Sequence, residues 1–248
     1  MRTPRPFGMA AGLCAALCAA LPATPGRAGP AQDACRQALA LGMDVSGSVD
    51  AAEYRLQVDG LAAALQDPGV AEAFLAMPGA DVMLTVFEWS GPEAQRLILP
   101  WTRIGTAADL ERVAGVLRAT ERGLHDPSTA IGSAKAHGAA LLAQQSGCWR
   151  PVLDLSGDGM SNTGPRLGDV RPAGMTVNGL VIAHPEDLRR EPGVAELTSY
   201  FRAYVLEGPD AFVETALGFD DFEAAMIRKL KRELQVMVLG AVAAPADQ

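Results

Sequence analysis

The stretch ALALGMD at residues 38–44, together with the VSGSVD that follows it at 45–50, decides the fold. An apolar run that ends in an acid predicts a strand buried on both faces of a parallel sheet. The next segment, 50–66, has apolar residues near helical spacing and many alanines, and Asp50 is a candidate N-cap for it. A buried strand followed directly by a helix is the repeating unit of α/β folds.

The same alternation continues along the chain. The turn at 90–92, SGP, is short enough to predict an antiparallel hairpin, with Pro100 on an edge strand. We therefore predict a doubly wound, Rossmann-like α/β fold, in which a mostly parallel sheet has one antiparallel edge strand. Further strands are predicted at 81–89, 97–101, 152–155, 175–183 and, more weakly, 200–206; helices are predicted at 106–120, 130–145 and 219–235, with a short one at 166–172.

The first 28 residues have the order of a secretory signal peptide. Two arginines precede an apolar run at 8–21 that is too short to span a bilayer, and small residues and prolines follow it. Cleavage is predicted after Ala28, with Ala23 as the other candidate site, and an N-terminal membrane anchor is the alternative hypothesis. The folded domain is then expected at 35–240, in the periplasm or outside the cell, with no transmembrane segment in the mature chain.

The charge of the chain excludes one large class of partners. Removal of the leader, with its three arginines, would take the net charge from −8 to −11. Nucleic acid is not an expected partner, because phosphate backbones attract basic surfaces. An acidic surface favours solubility and attracts cations.

Two cysteines, Cys35 and Cys148, remain in the predicted domain. An even cysteine count in an exported chain favours a disulfide, and two buried free thiols are the alternative. Cys35 lies nine residues before Asp44, and Cys148 lies ten before Asp158. In the predicted sheet the two cysteines therefore enter neighbouring parallel strands at the same end, close enough to bridge, and the two acids leave at the other end.

Three polar loops are expected to meet at the carboxyl end of the sheet, where open α/β sheets bind ligands. The first contains Asp44, Ser46 and Ser48, the second contains Thr129, and the third contains Asp158. Carboxylate and hydroxyl oxygens suit a hard ion such as Mg²⁺ or Mn²⁺, and the lack of Cys and His in these loops argues against zinc. The alternative is that the acids are helix N-caps and the hydroxyls are turn residues.

This pattern, DxSxS at 44–48 with Thr129 and Asp158, resembles the metal-ion-dependent adhesion site of von Willebrand factor type A domains. In that family the two serines and the threonine ligate the ion directly or through water, and the acids hold the ion or its waters. The order of the motif is kept over residues 35–235. Longer strings resemble a bacterial family of exported type A-like proteins of unknown function: DVSGSVD at 44–50, FEWSG at 87–91, PWTRI at 100–104 and DLSGDG at 154–159.

The resemblance implies metal-dependent binding of a protein or peptide partner, without catalysis. One coordination position of such an ion is left open, where an acidic side chain of the partner could replace water. A Mg²⁺-dependent hydrolase or phosphatase is the alternative, because Asp44 and Asp158 could hold an ion that activates water. The loops, however, offer no histidine as a base, and no Gly-x-Ser-x-Gly elbow occurs. A structural domain with a vestigial metal site is the third hypothesis. Glu88 is either an acid close to these loops or an exposed strand residue.

Overall fold

The computed structural model describes residues 34–123, 125–183 and 193–235. The described strands form one sheet in the order β3-β2-β1-β4-β5-β6, and β3 is antiparallel to its neighbour. This confirms the predicted α/β fold and its hairpin. The strands are β1 Ala34–Asp44, β2 Ala80–Trp89, β3 Gln95–Ile104, β4 Cys148–Gly157, β5 Thr176–Ile182 and β6 Val213–Ala216; the helices are α1 Ala51–Ala64, α2 Pro68–Leu75, α3 Ala107–Ala119, α4 Ile131–Leu142, α5 Gly193–Tyr200 and α6 Phe222–Glu233.

The central strand, β1, is buried on both faces because helices cover both sides of the sheet. Successive side chains of a strand point to opposite faces. Leu39 and Leu41 accordingly belong to the core shared with α1, α3 and α6, while Ala38 and Ala40 belong to the core shared with α4. A parallel sheet that is covered twice explains why the sequence of β1 is continuously apolar rather than alternating.

Helix starts follow the capping residues. The Asp50 side chain accepts hydrogen bonds from the backbone N–H groups of Ala52 and Glu53, and so begins α1 as predicted. The sequence Asp-Pro-Gly at 67–69 ends the first helical segment, but it also begins α2, which was not predicted. Asp67 accepts a hydrogen bond from Val70 N–H, and Pro68 fits the first helical turn, where a missing N–H costs nothing.

The prediction of a strand at 200–206 is wrong. This segment ends α5 and continues it through one π-helical turn, Phe201–Val205, and the sixth strand is β6 instead. Phe201 and Val205, four residues apart, are buried, whereas Tyr204 between them is 57% exposed. That spacing is helical, and the aromatic and β-branched composition misled the prediction. The short helix predicted at 166–172 is reduced to one 3-10 turn, Leu167–Asp169.

The predicted disulfide is present at the amino end of the sheet. Cys35 and Cys148 are bonded, with their Cα atoms 4.5 Å apart, and they face each other in the register of β1 with β4. The two strands are therefore tied at one end, and the acids that follow them lie at the other. None of the described helices is long and apolar enough to cross a bilayer. The predicted leader at 1–28 and the last residues of the predicted domain, 236–240, lie outside the described residues.

Candidate metal centre

The three predicted loops meet at the carboxyl ends of β1 and β4. Asp44 is the last residue of β1, Asp158 directly follows β4, and Thr129 lies two residues before α4. All three are buried: Asp44 is 0%, Thr129 6% and Asp158 9% exposed. Since acids are rarely buried unless they are paired or bind a metal, this placement is unusual for mere turn residues.

A chain of hydrogen bonds joins the two acids. Ser46 N–H donates to Asp44 Oδ1 at 2.8 Å, which fixes the turn of the first loop. The Ser46 and Ser48 hydroxyls lie 3.3 Å apart, and Ser48 Oγ donates to Asp158 Oδ1 at 2.8 Å. Residues 110 positions apart in the chain are thereby gathered around one point, as the motif predicts.

The surroundings of Asp44 disfavour its negative charge. Burial, and secondly the nearby carboxylate of Asp158, raise the pKa of Asp44 to about 7, although backbone and hydroxyl hydrogen bonds partly offset both effects. Asp44 Oδ2 is buried without a well-formed hydrogen bond to any described residue. Two carboxylates in one buried place repel each other, and a divalent cation between them would remove that repulsion.

The third loop clasps the second through residues to which sequence analysis assigned no role. Thr129 N–H donates to Asn162 Oδ1 and Asn162 N–H donates to the Thr129 carbonyl, both at 2.9 Å. Ser161 Oγ donates to the same carbonyl at 3.2 Å and accepts from Ile131 N–H at 3.2 Å. The polar run SNT at 161–163, which begins three residues after Asp158, is the signal that could have indicated this role.

The first loop is held from three sides. Gln57 Nε2 donates to the Asp44 carbonyl at 3.0 Å, and an Arg122 guanidinium nitrogen donates to the Ser46 carbonyl at 3.3 Å. Gly47 N–H donates to the Pro127 carbonyl at 3.1 Å. A Cβ at Gly47 would lie 2.9 Å from that same oxygen, so only glycine allows the first and second loops to approach this closely.

Glu88 is close to the loops but has its own partners. It is 2% exposed, accepts a hydrogen bond from the Tyr54 hydroxyl at 2.6 Å, and is paired twice with Arg96, at 2.7 and 2.8 Å. Its charge is therefore already balanced. Together with Val45 and Pro127 it lines a cleft of about 480 Å³ beside the first and second loops.

The donors gathered here fit a hard divalent ion. Two carboxylates and the hydroxyls of Ser46, Ser48 and Thr129 give an oxygen-only set, which suits Mg²⁺ or Mn²⁺ better than soft metals. Nowhere in the part of the chain that the structure describes, these loops included, does a group of three or more His, Cys, Asp or Glu side chains lie together in a way that could hold a metal. The candidate site therefore depends on hydroxyls as much as on acids.

The family described as "Protein of unknown function (DUF1194)" matches residues 34–238, which include all three loops and the disulfide. The chain belongs to this family. Membership in DUF1194 brings no activity with it, and no curated protein matches the sequence.

Solved structures show the same fold at low identity. The pilus adhesin SpaC from Lactobacillus rhamnosus GG is 16% identical, with a TM-score of 0.55 over 82% of this chain and 30% of SpaC. Proximal thread matrix protein 1 from the mussel byssus, solved with a zinc-occupied MIDAS motif, is 13% identical, with a TM-score of 0.55 over 83% of this chain and 47% of that one. This DUF1194 chain thus spans less than half the length of either protein. Its domain has a von Willebrand factor type A-like fold, as the motif predicted.

Proposed function

We propose that the protein is an exported domain that binds one divalent ion at the three loops and, through that ion, a protein or peptide partner. The observation that carries the proposal is the buried pair of acids, Asp44 and Asp158, joined by the Ser46 and Ser48 hydroxyls. Asp44 Oδ2 is buried without a well-formed hydrogen bond from any described residue, and burying a carboxylate oxygen in that state is costly. With a divalent ion present, the charges of the two acids are neutralised.

Mg²⁺ and Mn²⁺ are the proposed ions. The two carboxylates balance the charge of such an ion, and the remaining ligands, Ser46, Ser48 and Thr129, are neutral. Mg²⁺ in proteins usually keeps several waters among its ligands, and an acidic side chain of a partner is the proposed ligand that replaces one of them. The zinc in the mussel protein makes Zn²⁺ a necessary third ion in any titration. The cleft beside the first two loops provides space for partner residues next to that acid.

Export is supported by the covalent chemistry of the fold. The Cys35–Cys148 disulfide persists in oxidising compartments and is rare in reducing ones. The apolar leader at 1–28 agrees with the same conclusion. The proposed role is that of a non-enzymatic adhesion or scaffolding module, since the proposed binding requires only the ion and the partner.

The proposal is tested by calorimetric titration of Mg²⁺, Mn²⁺ and Zn²⁺ into chelator-stripped protein. We expect one ion to bind per chain and Asp158→Ala to lose saturable binding, because half of the site's negative charge is removed. Asp169→Ala is the matched control, since Asp169 is an exposed acid in the 3-10 turn Leu167–Asp169, which is not part of the three loops. Equal binding by wild type and Asp158→Ala, or no binding by wild type, would contradict the proposed site.

Asn162→Ala should weaken metal binding about tenfold without unfolding the protein. The substitution removes the acceptor for Thr129 N–H and leaves the second loop less fixed, and partners that orient ligands typically contribute this much. Affinity by calorimetry and the melting temperature by circular dichroism are the measurements. Thr163→Ala is the control, because only the backbone carbonyl of Thr163 takes part in the described hydrogen bonds. An unchanged affinity in Asn162→Ala would show that the clasp plays no part in binding.

A further inference from the structure

The inner face of α6 carries charged side chains that are shut off from water. Lys229 and Glu233, one turn apart, are 0% and 2% exposed, and they face Asp154 of β4, which is 3% exposed. Asn178 of β5 completes the cluster. This cluster, which we call the α6 cluster, contains none of the proposed metal ligands.

The contacts within the α6 cluster join the helix to two strands. Lys229 Nζ forms an ion pair with Asp154 Oδ2 and lies 3.5 Å from Glu233 Oε2. Asn178 Nδ2 donates to Glu233 Oε1 at 2.7 Å, and Asn178 Oδ1 accepts from Phe212 N–H at 3.0 Å. The last turn of α6 is therefore fixed to the sheet by polar contacts as well as by its apolar face.

The charges in the α6 cluster do not balance. Two carboxylates, on Asp154 and Glu233, share one ammonium group, on Lys229. A second negative charge without a partner is strongly disfavoured in a buried place, so one carboxyl group must keep its proton. A protonated carboxyl can then donate a hydrogen bond to the other carboxylate, which two ionised groups cannot do.

Other charged groups face this turn without correcting the imbalance. Arg36 of β1 donates to the Leu234 carbonyl at 3.3 Å, and Arg150 of β4 donates to the Glu233 carbonyl at 3.4 Å. Both arginines therefore bond to main-chain oxygens at the end of α6, as cations commonly do at helix C-termini. The guanidinium of Arg232, on α6 itself, lies over the Phe212 ring at 4.0 Å.

The electrostatics agree with the count of charges. Burial, and secondly the charge of Asp154, raise the pKa of Glu233 from 4.5 to about 8, although Lys229 and Asn178 partly offset these effects. The direction of this shift agrees with a proton held between the two carboxyl groups at neutral pH.

We propose that a proton held between Glu233 and Asp154 latches α6 onto the sheet, and that this latch weakens progressively as the pH rises from mildly acidic to mildly alkaline. The direction of this pH dependence follows from the linkage between proton binding and the opening of the last turn of α6. When the turn opens, Glu233 meets water and its pKa returns to its ordinary value, so opening releases a proton at any pH between about 4.5 and 8. The opening equilibrium should therefore rise by up to roughly tenfold per pH unit over that range and then level off.

Hydrogen exchange with mass spectrometry tests the latch on the full chain, by following peptides that cover residues 222–235 from pH 5.5 to 9.5. After correction for intrinsic exchange rates, we expect the protection of the last turn of α6 to fall by up to roughly tenfold per pH unit up to about pH 8. Peptides from β1 and β4 report any global unfolding and should keep their protection.

Two variants should abolish this pH dependence. Glu233→Gln cannot ionise, and Asp154→Asn leaves one carboxylate opposite one ammonium, so that no shared proton is needed. Glu223→Gln makes the same chemical change at an exposed position of α6 and should retain the wild-type slope. If Glu233→Gln does not fold, Asp154→Asn decides. A flat wild-type profile, or an unchanged slope in a folded Glu233→Gln or Asp154→Asn variant, would overturn the latch whether or not the metal proposal holds.

Discussion

Replacing Asp44 with asparagine should abolish saturable binding of Mg²⁺ and Mn²⁺ and at the same time stabilise the ion-free protein. Asparagine keeps an oxygen that can accept the Ser46 N–H but removes one of two negative charges in a buried place. We expect the free energy of unfolding of the ion-free protein to increase by on the order of 1 kcal/mol, since a buried like-charge pair is relieved.

Thermal unfolding in the presence of a chelator and of excess Mg²⁺ measures both effects. Ion binding to the native state should raise the melting temperature of the wild type, and the Asp44→Asn variant should show no such shift. Asp169→Asn, at an exposed acid, serves as the control and should behave like wild type. If Mg²⁺ still raised the melting temperature of the Asp44→Asn variant, the role of Asp44 in ion binding would be refuted. If the ion-free variant were less stable than the ion-free wild type, the negative charge of Asp44 would not be destabilising.

Loss of the disulfide should give the largest change in stability. The bond closes a chain segment of 113 residues, and loop entropy alone predicts that replacing both Cys35 and Cys148 by serine lowers the free energy of unfolding by roughly 4 to 5 kcal/mol. The metal affinity of the folded variant should change little, because the bond and the three loops are at opposite ends of β1 and β4.

Denaturant unfolding with and without reductant measures this effect. Reduced wild type and the double-serine variant should unfold at the same denaturant concentration, well below that of oxidised wild type. A single Cys35→Ser substitution should match the double variant, because either change removes the bond. If reductant left the wild-type midpoint unchanged, or if mass spectrometry found two free thiols in protein from an oxidising compartment, this prediction would fail.

The sequence predicted those parts of the molecule that are determined by short sequence patterns or by spacing along the chain. The apolar run that ends in Asp44 identifies the central strand, and a serine two residues later marks the loop. Cys35 and Cys148 could be paired because each precedes its acid by nearly the same number of residues. In adjacent parallel strands, residues that lie equally far along the chain from the same end of the sheet lie side by side. The hairpin was visible because its turn is too short for a crossover.

The parts that were missed depend on contacts between distant segments. Lys229 and Glu233 look like solvated charges of an amphipathic helix, and nothing near them in the sequence indicates that Asp154 lies opposite. The hydrogen bonds between Thr129 and Asn162 use main-chain groups as well as a side chain. Because nearly every residue has the same main-chain groups, the sequence does not indicate which of them will pair. The strand predicted at 200–206 failed because tertiary packing of Phe201 decided its conformation over local propensity.

The central position of β1 has a consequence for the time course of folding. β1 is the first described strand, yet its second neighbour, β4, begins at Cys148. As the chain emerges from its amino end, β1 can pair with β2 alone until β4, which begins more than a hundred residues after the end of β1, has emerged as well. Pairings between such distant segments form slowly, because chain entropy must be lost before they contribute. The backbone edge of β1 that faces β4 therefore stays unpaired while these residues emerge, and during this interval the growing chain is prone to aggregate.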